Sequence, residues 1–179
     1  DFRYLWLGQF GHSLSMWMEA VARNWLIWQM TESGLWLGLV NLARAVPLIV
    51  FGLLSGVAAD RFDRKRILLH TQWVTMVLKL LMGVLITTGQ VQVWHVVLLA
   101  FLTGVSMAFN QPARTALVPD TVPRQDLMNA VARSGTVWQG SRIFGPSLAG
   151  FIYGFWGPAV TYSIAGAGFL TMILALLFL

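Results

Sequence analysis

Two ionisable side chains, four positions apart, stand inside a long apolar stretch near the start of the chain. Glu19 and Arg23 lie within the sequence SMWMEAVARNWLIW. Residues at this spacing share one face of a helix, so the carboxylate and the guanidinium can pair. A buried carboxyl whose cationic surroundings change can bind and release a proton. Glu19 is therefore the candidate for proton coupling, with Arg23 as its partner; the alternative is that Glu19 only neutralises Arg23.

Three further cations, Arg44, Lys79 and Arg142, also lie within apolar stretches. Ionisable residues at membrane depth are costly and are functional candidates by default. One acid against four bases favours an anionic or catecholate-like ligand if these side chains face the interior. Lys79 is the weakest member, since it can extend to a polar surface or contact a neighbouring helix. Trp17 and Trp138 lie at similar depth, and we expect the cavity candidates to be Trp17, Arg44, Trp138 and Arg142.

Several kinds of chemistry are excluded or disfavoured. The chain has no Cys, which excludes disulfides and thiolate metal sites. His12, His70 and His95 lie on different segments without the spacing of metal ligands. Ser13 and Ser15, near His12, are most simply polar packing residues, and no nucleophile or phosphate-binding loop stands at reactive spacing. We expect neither an enzyme nor a metal site.

The composition indicates the elements that position these residues. Of the 179 residues, 57% are hydrophobic and only 11% are charged, whereas about a quarter are charged in a soluble domain. A membrane-spanning helix needs roughly 20 mostly apolar residues. We predict an all-α integral membrane protein, a single domain of residues 1–179 with six spans at about 4–30, 35–59, 67–89, 92–111, 127–155 and 158–179.

The distribution of basic residues predicts the orientation. Alternating the spans places Arg3 and the loops 60–66 and 112–126 on one side, which holds all the loop Lys and Arg. Short loops rich in these residues are cytoplasmic, so both ends of the chain are expected in the cytoplasm. The net charge of +5 comes from these loops and does not indicate a nucleic-acid partner.

Glycines and prolines predict where helices meet and end. Glycines four residues apart allow close helix contacts in lipid, and we expect such contacts at Gly34 and Gly38, Gly52 and Gly56, and Gly150 and Gly154. The segment PARTALVPDTVPRQD, residues 112–126, contains three prolines and is expected to end the fourth helix and start the fifth.

The stretch SGVAADRFDRKR, Ser55–Arg66, gathers charges after the second span. It resembles the loop between the second and third helices of the major facilitator superfamily. Asp63 stands where many members have Gly, so the turn would be made by a residue with less backbone freedom. The matching residues of this gating loop are Gly56, Asp60, Arg61, Arg64, Lys65 and Arg66.

Other segments resemble one branch of that superfamily, the drug and siderophore exporters, which include enterobactin exporters and macrolide efflux proteins. These segments are MTESGLWLG (Met30–Gly38), NQPARTALVPDTVPRQDLMNA (Asn110–Ala130) and GSRIFGPSLAG (Gly140–Gly150). The last resembles the fifth-helix motif of antiporters and favours export over uptake. Its matching residues are Gly140, Gly145, Pro146 and Gly150.

The resemblance implies the N-terminal half of a twelve-helix fold, with inverted repeats of three helices and a second half or second copy as partner. In such repeats Arg44–Pro47 and Arg142–Pro146 would correspond, which points to a binding site between them. The gating loop would act as a latch through Asp60.

The implied activity is export of a small amphiphilic molecule by alternating access in a bacterial inner membrane. The proton gradient would supply the energy, and no cofactor is expected. The alternatives are an importer or lipid mover of the same fold, and a channel or non-transporting membrane subunit.

Overall fold

The computed structural model of the chain describes residues 2–121 and 123–178, apart from the side chains of residues 2–5, 60, 118, 120, 121, 124 and 127. All regular elements in these ranges are helical. They are α1 (Phe2–Thr31), α2 (Gly34–Arg61), α3 (Arg64–Thr87), α4 (Val93–Thr121), a single 3-10 turn (Arg124–Asp126) and α5 (Leu127–Leu177).

The longest helix, α5, is interrupted near its middle. Gly157 has φ 81° and ψ 179°, a conformation that glycine adopts readily and other residues rarely. Pro158 follows, and proline disfavours helical backbone angles in the residue before it. α5 therefore consists of two helical arms, residues 127–156 and 158–177. The expected six spans correspond to five helices here, and the count of six membrane crossings stays a prediction.

Four helices are long and apolar enough to cross a membrane, at Gly34–Ala59, Arg64–Thr87, Val93–Leu117 and Met128–Leu177. These helices are those of an integral membrane protein. α1 is not among the four because its buried face carries polar side chains, which lower its hydropathy. These buried polar residues are Gln9, His12, Ser13, Ser15, Glu19 and Arg23.

The bundle is organised around α1, which packs along α5, while α2 packs on α4 and α3 lies against α4 and α5. Ala22 and Ile27 of α1 are fully buried. They belong to one apolar cluster with Val40, Val96 and Tyr162. This cluster joins α1 to α2, α4 and the second arm of α5, and it fixes the depth at which the neighbouring polar residues of α1 meet the other helices.

Helices approach each other closely at glycines other than those spaced four residues apart in the sequence analysis. A Cβ added to Gly8 would lie 2.7 Å from Cβ of Ala175, and one added to Gly145 would lie 2.6 Å from Cβ of Trp17. Apart from the adjoining backbone of the same helix, no described atom lies within 4 Å of a Cβ added to Gly34, Gly38, Gly52, Gly56, Gly150 or Gly154. The prediction of close helix contacts at these glycines is therefore wrong for the described residues, because no other described helix covers these faces.

The fourth helix ends later than the prolines predicted. The sequence placed its end at residue 111, but α4 continues through Pro112 to Thr121. A proline inside a helix lacks a backbone donor and usually ends or kinks it. Here Ala113 and Leu117, one turn apart, are buried against α3 and α5. This packing holds the last turns of α4 in helical form.

Two surfaces of the bundle are strongly apolar and exposed. Ile49 and Leu53 of α2 are 79% and 88% exposed, and Ile143 and Phe155 in the first arm of α5 are 68% and 72% exposed. Such continuous apolar surface is characteristic of contact with lipid or with further helices.

Candidate functional site

One carboxylate in the interior of the bundle binds cations from three helices. Glu19 is 4% exposed. Its Oε1 accepts a hydrogen bond from Nη1 of Arg23 at 2.7 Å, and its Oε2 accepts one from Nη1 of Arg44 at 3.1 Å. Nζ of Lys79 lies 3.4 Å from the same Oε2. We call these four residues, Glu19, Arg23, Arg44 and Lys79, the charge cluster; it ties α1 to α2 and α3.

Local sequence explains how each cation reaches Glu19. Arg23 is one turn further along α1, so its side chain lies on the same helix face. Arg44 reaches inward because α2 lies directly against α4 at Gly104, where an added Cβ would collide with the backbone carbonyl of Arg44. Lys79 passes over Phe169, with Nζ 5.2 Å from the ring centroid. The glycine in α4 thus sets how closely α2, and with it Arg44, approaches α4.

The cluster extends through weaker contacts. Nη2 of Arg23 donates to Oδ1 of Asn41 at 3.1 Å. Nη2 of Arg44 lies 3.1 Å from Sδ of Met107, and a thioether is only a weak acceptor. Nε of Arg23 is buried without a hydrogen-bond partner in the described part of the chain. The cations therefore have more donors than Glu19 can satisfy.

Two cavities of about 10 Å³ adjoin Lys79. Each has room for about one water-sized body. The residues that line the first include Glu19, Arg23, Thr103 and Tyr162. The residues that line the second include His12, Arg44, Thr75, Thr103 and Asn110. Polar groups therefore line part of each space, beside apolar side chains such as Leu78 in the first and Met107 in the second.

A polar strip between α3 and α4 continues from the second cavity, and the sequence analysis missed it. Oγ1 of Thr75 and Oγ of Ser106 are 2.8 Å apart, and Nδ2 of Asn110 donates to Oγ1 of Thr71 at 2.9 Å. The signal was present, since polar residues recur at 72, 75 and 79 in α3 and at 103, 106 and 110 in α4. This spacing places them on one face of each helix.

His12 is buried as well, and Nδ1 lies 3.1 Å from Oε1 of Gln72. Its ring meets Phe169 edge to face, with centroids 5.0 Å apart. Within the described ranges, no three His, Asp or Glu side chains are grouped so that they could hold a metal ion. His12 thus connects the polar face of α1 to the strip on α3.

A row of two aromatic side chains with a cation at each end lies on another side of α1. The guanidinium carbon of Arg142 is 5.8 Å from the ring centroid of Trp17, and the rings of Trp17 and Trp138 are 5.8 Å apart. The guanidinium carbon of Arg114 is 5.6 Å from the ring of Trp138. We call Arg142, Trp17, Trp138 and Arg114 the aromatic row. Electron-rich ring faces attract cations, so the row combines flat apolar surfaces with positive charge.

The structure divides the expected cavity residues between two places. Arg44 joins the charge cluster, whereas Trp17, Trp138 and Arg142 belong to the aromatic row. Arg142 is exposed. The sequence analysis missed Arg114 because residues 112–126 were assigned to a loop. Nη1 of Arg114 is buried, and it has no hydrogen-bond partner within the described residues.

The residues that resemble the fifth-helix motif have different surroundings. Gly145 lets the first arm of α5 pass close to Trp17. Gly140 and Gly150 have no described atom within 4 Å of an added Cβ. Pro146 lies inside α5. Within the described bundle, Gly145 is therefore the motif residue that positions a member of the aromatic row.

Asp63 explains the departure from the glycine of the loop motif. It precedes α3 with φ −59°, an ordinary value for an L residue. Its Oδ1 accepts from the backbone N–H groups of Lys65 at 2.9 Å and Arg66 at 3.4 Å. These contacts satisfy free donors at the start of the helix, so Asp63 serves as the N-cap.

Another loop residue, Arg64, connects the loop to α4. Its Nη1 donates to the carbonyl oxygen of Ala116 at 3.0 Å. Arg61 is exposed. Asp60 belongs to the last turn of α2, but its side chain lies outside the described residues, and its expected role as a latch stays a prediction.

Comparison with known proteins agrees with this architecture. The chain is 28% identical over 158 residues to macrolide efflux protein A of Streptococcus pyogenes, covering 87% of the chain and 38% of that protein. It is 25% identical over 161 residues to the staphyloferrin A transporter of Staphylococcus aureus, covering 89% and 41%. It is 26% identical over 176 residues to the enterobactin exporter EntS of Salmonella paratyphi A, covering 98% and 42%.

The chain thus spans about two fifths of the length of these relatives. The family model described as transmembrane secretion effector matches residues 1–179, the whole chain. Together with the helical bundle, this match establishes that the chain belongs to the transmembrane secretion effector family of the major facilitator superfamily.

Proposed function

We propose that the chain is part of a secondary active exporter that moves a small amphiphilic, anionic molecule out of the cell in exchange for protons. The charge cluster carries this proposal, because one buried carboxylate holds cations from two neighbouring helices. The names of the relatives, a macrolide efflux protein and an enterobactin exporter, support outward transport. The proton gradient supplies the energy, and the proposal involves no cofactor and no chemical conversion of the cargo.

Glu19 is the proposed proton-coupling residue. In the described arrangement, a proton on Glu19 would leave three cations without an anion. Proton uptake must therefore accompany the loss of the contacts that Arg44 and Lys79 make with this carboxylate. Because these cations lie on α2 and α3, protonation would release both helices from α1 and favour a second arrangement of the bundle. Loss of the proton would restore the ion pairs.

The aromatic row is the proposed contact surface for the cargo. Trp17 and Trp138 offer apolar ring faces, and Arg114 and Arg142 offer positive charge at the two ends of the row. An amphiphilic molecule with an aromatic or anionic group matches this combination. The antiporter-like Gly145 supports the assignment because it brings α5 against Trp17.

The proposed architecture is six spans in two inverted repeats of three, with the two arms of α5 crossing the membrane separately. A straight helix of 50 residues would be about 75 Å long, against a hydrocarbon core of about 30 Å, which supports separate crossings. A second six-helix half or a second copy completes the transporter. Both ends lie in the cytoplasm of a bacterium, and Asp60 latches the gating loop to the second half.

The experiment is proton flux in proteoliposomes, with an interior pH dye, while candidate cargoes are offered. We expect cargo-driven proton movement in the wild type and its loss in Glu19→Gln, with cargo binding retained. Glu19→Asp, which keeps the charge, should retain part of the flux. Asp63→Asn, at an exposed carboxylate, is the control. Cargo movement without proton dependence would contradict antiport, and inward movement would favour an importer.

A further inference from the structure

The charge cluster is not electrically balanced. Glu19 supplies one negative charge, and Arg23, Arg44 and Lys79 supply three positive charges. The side chains of Arg23, Lys79 and Glu19 are 3%, 3% and 5% exposed, and that of Arg44 is 13% exposed. The other acidic residues of the described ranges, which lie at positions 32, 60, 63, 120 and 126, stand at helix ends or between helices. A buried excess of two positive charges is costly unless an anion compensates it.

The cations that carry the excess charge have N–H donors whose acceptors in the described bundle are weak or missing. The contacts of Lys79 Nζ in the described bundle are Glu19 Oε2 at 3.4 Å and the ring face of Phe169 at 5.2 Å. An ammonium group has three N–H donors, and neither contact satisfies more than one. Arg44 directs Nη2 at the thioether of Met107. Both cations therefore have N–H donors that no protein side chain satisfies well and that a bound ligand could use.

These donors border the same space. The second cavity, of about 10 Å³, is lined by groups that include Arg44, Lys79, Thr75, Thr103 and Asn110. Its size is close to that of one water molecule, which excludes sulfate or phosphate. A halide ion is somewhat larger than water, so the flexible side chains of Met16 and Met107 in the cavity wall must shift slightly to admit it. Water could accept the hydrogen bonds but would leave the charge uncompensated, whereas a halide ion would supply both the acceptor and the charge.

We propose that this cavity binds a single halide-sized inorganic anion, chloride in the cell, between Arg44 and Lys79. The anion is a counter-ion of the cluster and an alternative partner for the two cations that hold Oε2 of Glu19. Its binding does not depend on the direction of transport or on the identity of the cargo. The site recognises one small negatively charged group, which an anionic group of the cargo could also supply.

The test is thermal unfolding of the purified protein in detergent, at constant ionic strength, with sodium chloride, bromide, gluconate or sulfate. We expect chloride and bromide to raise Tm saturably relative to gluconate and sulfate, by roughly 3 °C at ten times the halide Kd. The sequence has two lysines, which gives a matched pair of variants. Lys79→Met should raise the apparent Kd for chloride at least tenfold, and Lys65→Met, in the gating loop, should leave it unchanged.

A second variant and a direct measurement keep the proposal testable if Lys79→Met does not fold. Thr75→Val, which removes a hydroxyl from the cavity wall without changing charge, should weaken halide stabilisation severalfold. Crystals grown with bromide should give an anomalous peak between Arg44 and Lys79. Equal Tm values in all four salts, equal stabilisation by sulfate and chloride, bromide peaks confined to surface residues, or a cargo anion in the cavity in place of halide would each overturn the proposal.

Discussion

Gly104 in α4 lies directly against the backbone carbonyl of Arg44 in α2. This contact allows α2 to lie close to α4 at the depth where Arg44 Nη1 reaches Oε2 of Glu19 at 3.1 Å. A side chain at position 104 would meet rigid backbone instead of the flexible end of a side chain. The geometry of the charge cluster therefore depends on a residue that has no functional group.

Gly104→Ala should separate α2 from α4 and weaken the contact between Arg44 and Glu19. Overpacking of this kind lowers the free energy of unfolding by about 1–3 kcal/mol, and we expect a lower Tm and lower transport. Gly52→Ala is the control, since an added Cβ on Gly52 meets no described atom within 4 Å. Equal effects of the two substitutions would contradict the proposed role of the close contact.

Glu19→Gln should be among the most destabilising single substitutions in the bundle, because it leaves three buried cations without their carboxylate. Breaking a buried ion pair from one side costs about 3–5 kcal/mol. Adding Lys79→Met should restore part of this loss, with a coupling energy of about 0.5–3 kcal/mol in a double-mutant cycle of unfolding free energies.

The pair Asp63 and Arg66 is the control for this cycle, since its atoms are 3.6 Å apart and its side chains are 55% and 80% exposed. Such a pair contributes about 0–1 kcal/mol. A cycle at Glu19 and Lys79 that gives no larger coupling than the exposed pair would show that the buried contact is unimportant.

Gly145→Ala should displace Trp17, because the added Cβ would lie 2.6 Å from Cβ of Trp17. We expect a several-fold rise in KM for an aromatic cargo, measured by transport in proteoliposomes. Gly150→Ala, five residues further along α5 on an uncovered face, should leave KM unchanged. If both substitutions raise KM equally, Gly145 does not act through Trp17.

Arg142→Gln should raise KM for an anionic cargo by roughly tenfold, in line with the loss of one favourable charge contact. Because Arg142 is exposed, we expect little change in Tm. Transport of a neutral cargo should be unaffected. An equal loss for neutral and anionic cargoes would contradict a role for charge in recognition.

Asp63→Ala should lower the free energy of unfolding by about 1 kcal/mol, through loss of the cap on α3. Asp63→Asn should retain most of the stability, because its amide oxygen can accept the same backbone hydrogen bonds. The comparison is made by thermal unfolding of both variants. Equal destabilisation by Ala and Asn would indicate that charge, and not capping, is the role of Asp63.

Local spacing correctly predicted one contact of the charge cluster. Glu19 and Arg23 pair as their four-residue separation indicates, because both lie on one face of one helix. The contacts of Arg44 and Lys79 with Glu19 depend on how deeply three helices meet, which is set by Gly104 and by apolar packing. No local pattern encodes that depth.

The prolines and the glycine pairs were the least informative signals. Pro112 does not end α4 because buried neighbours hold the following turns, and that packing involves residues distant in sequence. The glycine pairs lie on faces that the described helices leave open, so their spacing alone could not identify a partner. Arg114 was missed for the same reason as the end of α4.

The non-helical backbone at Gly157 also indicates where residues can be inserted into the chain. The backbone is non-helical at Gly157 and Pro158 has no N–H to donate to the preceding turn, so a short insertion before Pro158 need not unwind either arm of α5. Trp156 beside it is 59% exposed, which leaves the junction accessible to an antibody or a fluorophore. The fold thus contains an attachment point for a topology reporter that disturbs neither the charge cluster nor the aromatic row.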